Sequence, residues 1–112
     1  MLFKFKFLFR KKKDRNMDMY DIDEKDLTSI ISKGAVIVDV RSPQEYEEGH
    51  MEGAISIPEY EIKKKAKVLL QNKEKAIIVY CSSGGRSKKA KEELKNMGYK
   101  YVYNLYNGYQ NY

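Results

Sequence analysis

Cysteine, histidine and tryptophan are nearly absent from this sequence, which has one cysteine, one histidine and no tryptophan among its 112 residues. A lone cysteine, Cys81, cannot form a disulfide within the chain, so a secreted fold held together by internal disulfides is excluded. One cysteine and one histidine cannot build a tetrahedral metal site within one chain, and we therefore expect no metal. Length and cysteine content favour a single domain in a reducing compartment, with the cytoplasm as the expected location.

Long apolar runs are missing as well. All four phenylalanines lie in residues 1–9, but two lysines interrupt this stretch. It is far shorter than the about 20 residues that span a bilayer, and it lacks the residue order of a secretion signal. Two interpretations stay open: a tail without fixed structure, or a weak membrane-surface contact in which residues 1–13 place Phe in the interface and Lys or Arg against anionic lipid. We expect an N-terminal segment (residues 1–16) followed by one domain (residues 17–112).

The excess of positive charge is confined to the N-terminal segment. It holds seven of the 22 basic residues and one of the 16 acidic residues, so the remaining chain carries 15 of each sign. A neutral domain lacks the excess basic charge that attracts a phosphate backbone. We therefore expect no nucleic-acid partner.

Short β-branched runs alternate with amphipathic segments along the rest of the chain. Strands are predicted at residues 20–22, 35–40, 54–57, 76–80 and 101–105, and helices at residues 24–33, 43–48, 59–70 and 87–97. This alternation predicts an α/β fold with a largely parallel five-stranded sheet and helices on both faces.

The single cysteine follows the predicted fourth strand directly, at the sheet edge where open α/β folds bind ligands. Gly84 and Gly85 allow successive backbone N–H groups to turn inward, and Arg86 adds a positive charge. The helix predicted to begin at Ser87 directs the positive end of its dipole at this loop. All these features stabilise a thiolate, the reactive form of cysteine. The alternative is a buried small residue beside a glycine turn, but the coincidence of four features favours a nucleophilic Cys81.

Four segments in the right order resemble the motifs of rhodanese-like sulfurtransferases. They are DVRSPQEY at 39–46, similar to D-x-R-x-x-x-E-[FY]; GHMEGAI at 49–55, similar to G-H-I-x-G-A-x; CSSGGRS at 81–87, similar to C-R-S-G-x-R-S; and VYNLYNGYQNY at 102–112, similar to V-x-x-L-x-G-G-x-x-x-W. The match covers about residues 18–112, and four ordered motifs are far more specific than one.

The resemblance implies a rhodanese-like domain that moves a sulfane sulfur through a persulfide. Cys81 would be the nucleophile, and backbone N–H groups of the loop that follows would hold the persulfide charge. That loop consists of Ser82, Ser83, Gly84, Gly85, Arg86 and Ser87. Arg86 would also help to bind an anionic donor, whereas Asp39 and Arg41 would position the loop through an ion pair or hydrogen bonds. His50 lies beside a glycine turn and is expected to be structural.

The implied donor is thiosulfate or a persulfide, and the implied acceptor is a small thiol, a cyanide-like nucleophile or a protein. No cofactor is expected, since the sequence contains no dinucleotide fingerprint. No second cysteine is present to resolve the persulfide, so an external acceptor must discharge it.

The spacing and identity of several residues distinguish this chain from protein tyrosine phosphatases and from the common pattern of the rhodanese-like family. Protein tyrosine phosphatases use C-x5-R, whereas Cys81 and Arg86 are spaced as C-x4-R, and the smaller ring suits one sulfur better than a phosphate. Ser82 stands where many family members carry arginine, which weakens the case for dianionic thiosulfate as donor. Asn107 and Tyr112 replace a glycine and the tryptophan of the closing motif. The alternative function is a non-catalytic rhodanese-like module that carries sulfur, senses it or binds a partner.

Overall fold

The computed structural model of the protein describes residues 18–109. The N-terminal segment, with its predicted membrane contact, lies outside the described residues, and so does Tyr112. The described elements are β1 (Asp21–Ile22), α1 (Glu24–Ser32), β2 (Val36–Asp39), α2 (Pro43–Glu47), β3 (Ile55–Ser56), a 3-10 turn (Glu59–Glu61), α3 (Ile62–Leu69), β4 (Ile77–Tyr80), α4 (Gly85–Asn96) and β5 (Val102–Leu105). Within residues 18–109, no helix combines the length and apolar character that crossing a membrane requires.

The five strands form one sheet in the order β1-β5-β4-β2-β3, and every pairing in it is parallel. This confirms the predicted five-stranded α/β fold. The strands β2 and β4 are neighbours, with Asp39 opposite Tyr80. Because both strands end at the same edge, the residues that follow them, Arg41 and Cys81, belong to one site.

Helices cover both faces of the sheet, as predicted. Alternate residues of each strand face opposite sides, so each face has its own apolar cluster. The larger cluster joins β2, β4 and β5 to α3 and α4 through side chains that include Val79, Ala66 and Leu94, and it contains Cys81. The smaller cluster contains Tyr80 and Leu105, against which Leu27 of α1 and Tyr46 of α2 pack.

A buried ion pair connects β1 to α4. Lys91 Nζ lies 2.9 Å from Asp21 Oδ1, and both residues are buried. The Asn104 side-chain amide donates to the same carboxylate oxygen at 3.3 Å. The pair fixes the edge strand of the sheet to the helix that begins behind the cysteine loop.

The four helices end one residue earlier than predicted, and two of them start at a different residue. The segment predicted as one helix over residues 59–70 begins as a 3-10 turn, because the Glu61 N–H donates to the Pro58 carbonyl at 2.8 Å and the α-helix starts only at Ile62. The helix predicted to begin at Ser87 begins at Gly85 instead. A positive φ at Gly84 turns the chain sharply enough to start the helix two residues earlier.

Candidate active site

The backbone closes tightly around the sulfur of Cys81. Gly84 N–H donates to Sγ at 3.0 Å and Ser87 N–H at 3.4 Å, and the Ser87 hydroxyl oxygen lies 3.5 Å from Sγ. Cys81 is only 1% exposed, so its sulfur is almost completely covered by the surrounding residues. Such a ring of inward N–H groups is an anion-binding nest.

The ring of donors changes the acidity of the thiol. Burial raises the pKa of Cys81, whereas hydrogen bonds from the Ser87 hydroxyl and from the N–H groups of Ser87, Ser83 and Gly84 lower it by more. The net effect is a pKa below the ordinary value of a cysteine. The site therefore stabilises a sulfur anion at a buried position.

Gly84 explains why the loop can adopt this shape. Its φ of +99° lies in the left-handed region, which a residue with a side chain rarely adopts. A Cβ at this position would also collide with the carbonyl oxygen of Tyr106. The glycine places its own N–H on the sulfur and starts α4 at Gly85, which brings the positive end of the helix dipole closer than the sequence predicted.

Arg86, which was expected to frame the pocket and to bind an anionic donor, has a carboxylate partner. Its guanidinium donates to Glu45 Oε1 at 2.8 Å and to Oε2 at 3.1 Å, and to the Ser82 hydroxyl at 3.1 Å. The hydrogen bond from Arg86 outweighs burial and lowers the pKa of Glu45 from 4.5 to about 2. The pair is therefore ionised across the physiological range.

Glu45 belongs to the DVRSPQEY segment, but no feature of the sequence indicated a role for it at the site. It lies in α2, where its carboxylate accepts from the Ser42 N–H at 3.1 Å while its own N–H donates to Ser42 Oγ at 3.2 Å. The signal was present as Ser-x-x-Glu, the spacing of a capping box. That spacing predicts the cap but not the second use of the carboxylate on Arg86.

Asp39 and Arg41 form an ion pair at the end of β2. Arg41 Nη2 lies 2.6 Å from Asp39 Oδ2, with the aspartate side chain fully buried. Tyr80 donates its hydroxyl to the same carboxylate at 2.8 Å, and Arg41 also donates to the Gly49 carbonyl at 2.6 Å. The guanidinium lies 4.9 Å from the centre of the Tyr109 ring. The pair thus connects the end of β2 to two neighbouring loops.

The closing segment supports the cysteine loop from behind. Tyr109 N–H donates to the Cys81 carbonyl at 2.7 Å. Gly108 has a φ of +82°, and a Cβ there would collide with the Ser82 carbonyl. The glycine of the closing motif is therefore required by close approach of two backbones.

His50 contacts Tyr46 in two ways. Its exposed ring stacks on Tyr46 with 3.7 Å between ring centroids, and Nδ1 lies 2.8 Å from the Tyr46 carbonyl oxygen. Over residues 18–109, no group of three or more His, Cys, Asp or Glu side chains is placed to hold a metal ion.

Comparisons with known proteins agree with this architecture. A family model described as "Rhodanese-like domain" matches residues 23–112. The thiosulfate sulfurtransferase PspE of Escherichia coli (strain K12) is 42% identical over 67 residues, which cover 60% of this chain and 64% of that protein. The putative sulfur carrier protein YrkF of Bacillus subtilis (strain 168) is 42% identical over 72 residues, or 64% of this chain and 38% of that protein.

The human single-domain sulfurtransferase TSTD1 has the same fold, with a TM-score of 0.73 and 23% identity over 84% of this chain and 95% of that one. The chain spans less than two thirds of the two curated relatives. The four ordered motifs, the parallel sheet and the family model over residues 23–112 lead to one conclusion: the chain belongs to the rhodanese-like domain family.

Proposed function

We propose that the protein is a sulfurtransferase that carries a sulfane sulfur on Cys81. One observation carries this proposal: the N–H groups of Gly84 and Ser87 point at Cys81 Sγ, at 3.0 and 3.4 Å. Fixed donors around a buried sulfur stabilise a negative charge there without reorganisation. A sulfurtransferase name among the relatives at 42% identity supports the same activity.

In the first step, the Cys81 thiolate attacks the sulfane sulfur of the donor. A new S–S bond forms to Cys81 while the S–S bond of the donor breaks, and the donor leaves with the electron pair, as sulfite from thiosulfate or as a thiolate from an alkyl persulfide. The product is a Cys81 persulfide anion, so total charge is conserved. We assign the backbone of residues 82–87 to holding this anion.

In the second step, a thiolate or a cyanide-like nucleophile attacks the terminal sulfur of the persulfide. The S–S bond to Cys81 breaks and the Cys81 thiolate is restored, while the acceptor becomes a persulfide or thiocyanate. No second cysteine exists in the chain, so the acceptor is external. We propose a small thiol or a protein thiol as acceptor, in a reducing compartment such as the cytoplasm.

Other site residues are proposed to act through position. Asp39 and Arg41 hold the strand end and the Gly49 loop against the cysteine loop. Arg86, whose guanidinium contacts Glu45 and Ser82, is proposed to frame the pocket in which the donor binds. The working domain is proposed to be residues 17–112, with residues 1–13 as a separate contact for a membrane surface.

A thiocyanate assay tests the proposal. The protein is incubated with cyanide and either thiosulfate or cysteine persulfide, and thiocyanate is measured over time. We expect multiple turnovers with at least one donor, and none for Cys81→Ser, which keeps the shape of the side chain but offers a poor nucleophile. Equal rates for both proteins would overturn the proposal.

A sulfur carrier without turnover is the second candidate function. It is favoured by the burial of Cys81, which is 1% exposed, and by the relative named a putative sulfur carrier protein. Stoichiometric loading of sulfur with no turnover would favour this candidate over the enzyme.

A further inference from the structure

The ion pair between Arg86 and Glu45 lies next to the cysteine, since Arg86 belongs to the cysteine loop and also donates to the Ser82 hydroxyl at 3.1 Å. Two guanidinium nitrogens of Arg86 bind the two carboxylate oxygens of Glu45, at 2.8 and 3.1 Å, in a fork-to-fork arrangement. The side chains of Arg86 and Glu45 are 38% and 33% exposed. Both charges therefore face the solvent from which a donor arrives.

Glu45 is held in place independently of Arg86. Its Oε1 accepts from the Ser42 N–H at 3.1 Å and lies 3.0 Å from the Ser42 hydroxyl oxygen. These bonds belong to the cap of α2, so the carboxylate is fixed by a helix end rather than by the loop. Arg86 is consequently drawn toward α2, and its charge is offset before any donor binds.

Two other cations of this region, one after β2 and one in α4, also have carboxylate partners. Arg41 is paired with Asp39 at 2.6 Å, and Lys89 lies 3.6 Å from Glu59. Ser82 occupies a loop position where it brings a hydroxyl and no charge. Anion stabilisation at Cys81 is thus left mainly to the backbone N–H groups and the helix dipole, which suit the single charge of a sulfur anion.

We propose that Glu45 is a positioning residue that sets donor selectivity by neutralising Arg86, so that the site favours alkyl persulfides over dianionic thiosulfate. The inference rests on the proposed sulfurtransfer through Cys81. A persulfide brings one charge on the sulfur that is transferred, whereas thiosulfate also brings the charge of its sulfonate end. An unpaired arginine beside the cysteine loop would attract that second charge and strengthen thiosulfate binding. An arginine whose charge is neutralised by a carboxylate does not.

Glu45→Gln tests this with the smallest change available. The amide oxygen can still accept from the Ser42 N–H, so the cap of α2 is kept while the charge opposite Arg86 is lost. Glu47→Gln is the matched control, since it removes the same charge from an exposed position of the same helix. Steady-state kinetics are measured with thiosulfate and with cysteine persulfide, each against a common thiol acceptor.

We expect Glu45→Gln to raise kcat/KM for thiosulfate about fivefold, the upper range for one screened charge at an exposed site, mainly through KM. The value for cysteine persulfide should change less than twofold, and Glu47→Gln should match the wild type with both donors. The gain with thiosulfate should shrink at high salt and vanish in an Arg86→Gln background, because it depends on the freed guanidinium.

Equal changes with both donors, or a gain that survives in the Arg86→Gln background, would overturn the inference and leave Glu45 a structural cap. If Glu45→Gln does not fold, the salt dependence of the wild type decides. If Glu45 neutralises the charge of Arg86, the KM for thiosulfate should stay constant from low to physiological ionic strength. A steep rise of this KM with ionic strength would contradict the inference. Absence of transfer from either donor in the wild type would overturn the proposed function itself, whereas turnover with an unchanged donor ratio overturns this inference alone.

Discussion

Replacing Ser87 with alanine removes the hydroxyl that contacts the sulfur of Cys81 and leaves the rest of the loop in place. The neutral thiol donates to this hydroxyl, and the thiolate accepts from it once the hydroxyl proton turns from the Gly84 carbonyl to the sulfur. The Ser87 hydroxyl is fully buried and lies 3.5 Å from Sγ, while its backbone N–H, at 3.4 Å, is unaffected by the substitution. The Gly84 carbonyl, which the hydroxyl also contacts, keeps the Lys88 N–H at 3.1 Å as a partner. No backbone group is therefore orphaned by the change.

The size of the effect follows from the charge on the sulfur. A hydrogen bond to a charged group contributes at least about 1.5 kcal/mol. We use this lower value because the 3.5 Å separation between the oxygen and the sulfur is long. Its loss raises the pKa of Cys81 and lowers the thiolate fraction about tenfold at a fixed pH below that pKa. Since a more basic thiolate is about threefold more nucleophilic, the observed reaction rate should fall about three- to fourfold.

Alkylation of Cys81 by iodoacetamide across a pH series measures this directly. Ser87→Ala should move the rate profile to higher pH and reach a plateau about threefold higher than that of the wild type, because the fully ionised thiolate of the variant is the more nucleophilic one. Ser83→Ala serves as the control, because Ser83 acts on the sulfur through its backbone N–H, and its profile should stay in place. An unchanged profile for Ser87→Ala would refute the idea that this hydroxyl stabilises the thiolate.

Further predictions concern the supports of the loop. Gly108→Ala should lower the free energy of unfolding in urea by about 2–4 kcal/mol, because a Cβ would meet a carbonyl of the cysteine loop at a positive φ. Gly53→Ala, with a similar φ but open space, should cost about 1–2 kcal/mol, and equal losses would contradict the collision. Asp39→Asn should cost about 3–5 kcal/mol because it leaves the buried Arg41 without its carboxylate; a loss below about 1 kcal/mol would contradict this. The Glu45 carboxyl should titrate by NMR near pH 2, so that its stabilising contribution is complete above pH 4.5 and is lost as the pH falls toward about 2; titration near 4.5 would contradict the ion pair.

The element order and the parallel sheet were predictable because each strand is a short β-branched run bounded by turn residues. Residues 36–39 and 77–80 illustrate this, since both are apolar enough to be buried on both faces. The first residue of α4 could not be predicted from the sequence. Its start depends on the φ of Gly84, and the sequence shows a glycine there but not the sign of that angle.

The position of Cys81 between β4 and the glycine loop was predictable, but the pairing of charges around it was not. Cys81, the glycines and Arg86 are neighbours in sequence, so their proximity follows from the chain itself. Glu45 lies 41 positions from Arg86 and meets it only through the packing of α2 against the loop. The ion pair between Lys91 and Asp21 was not predicted for the same reason, since 70 positions separate the partners.

Intact-protein mass spectrometry tests the central claim, a persulfide on Cys81, most directly. The wild type and Cys81→Ser are each incubated with thiosulfate or with cysteine persulfide, and half of each sample is then treated with cyanide. We predict a gain of one sulfur atom on the wild type alone, removed by cyanide. A gain of the same size on Cys81→Ser, or no gain on the wild type with either donor, would contradict the account.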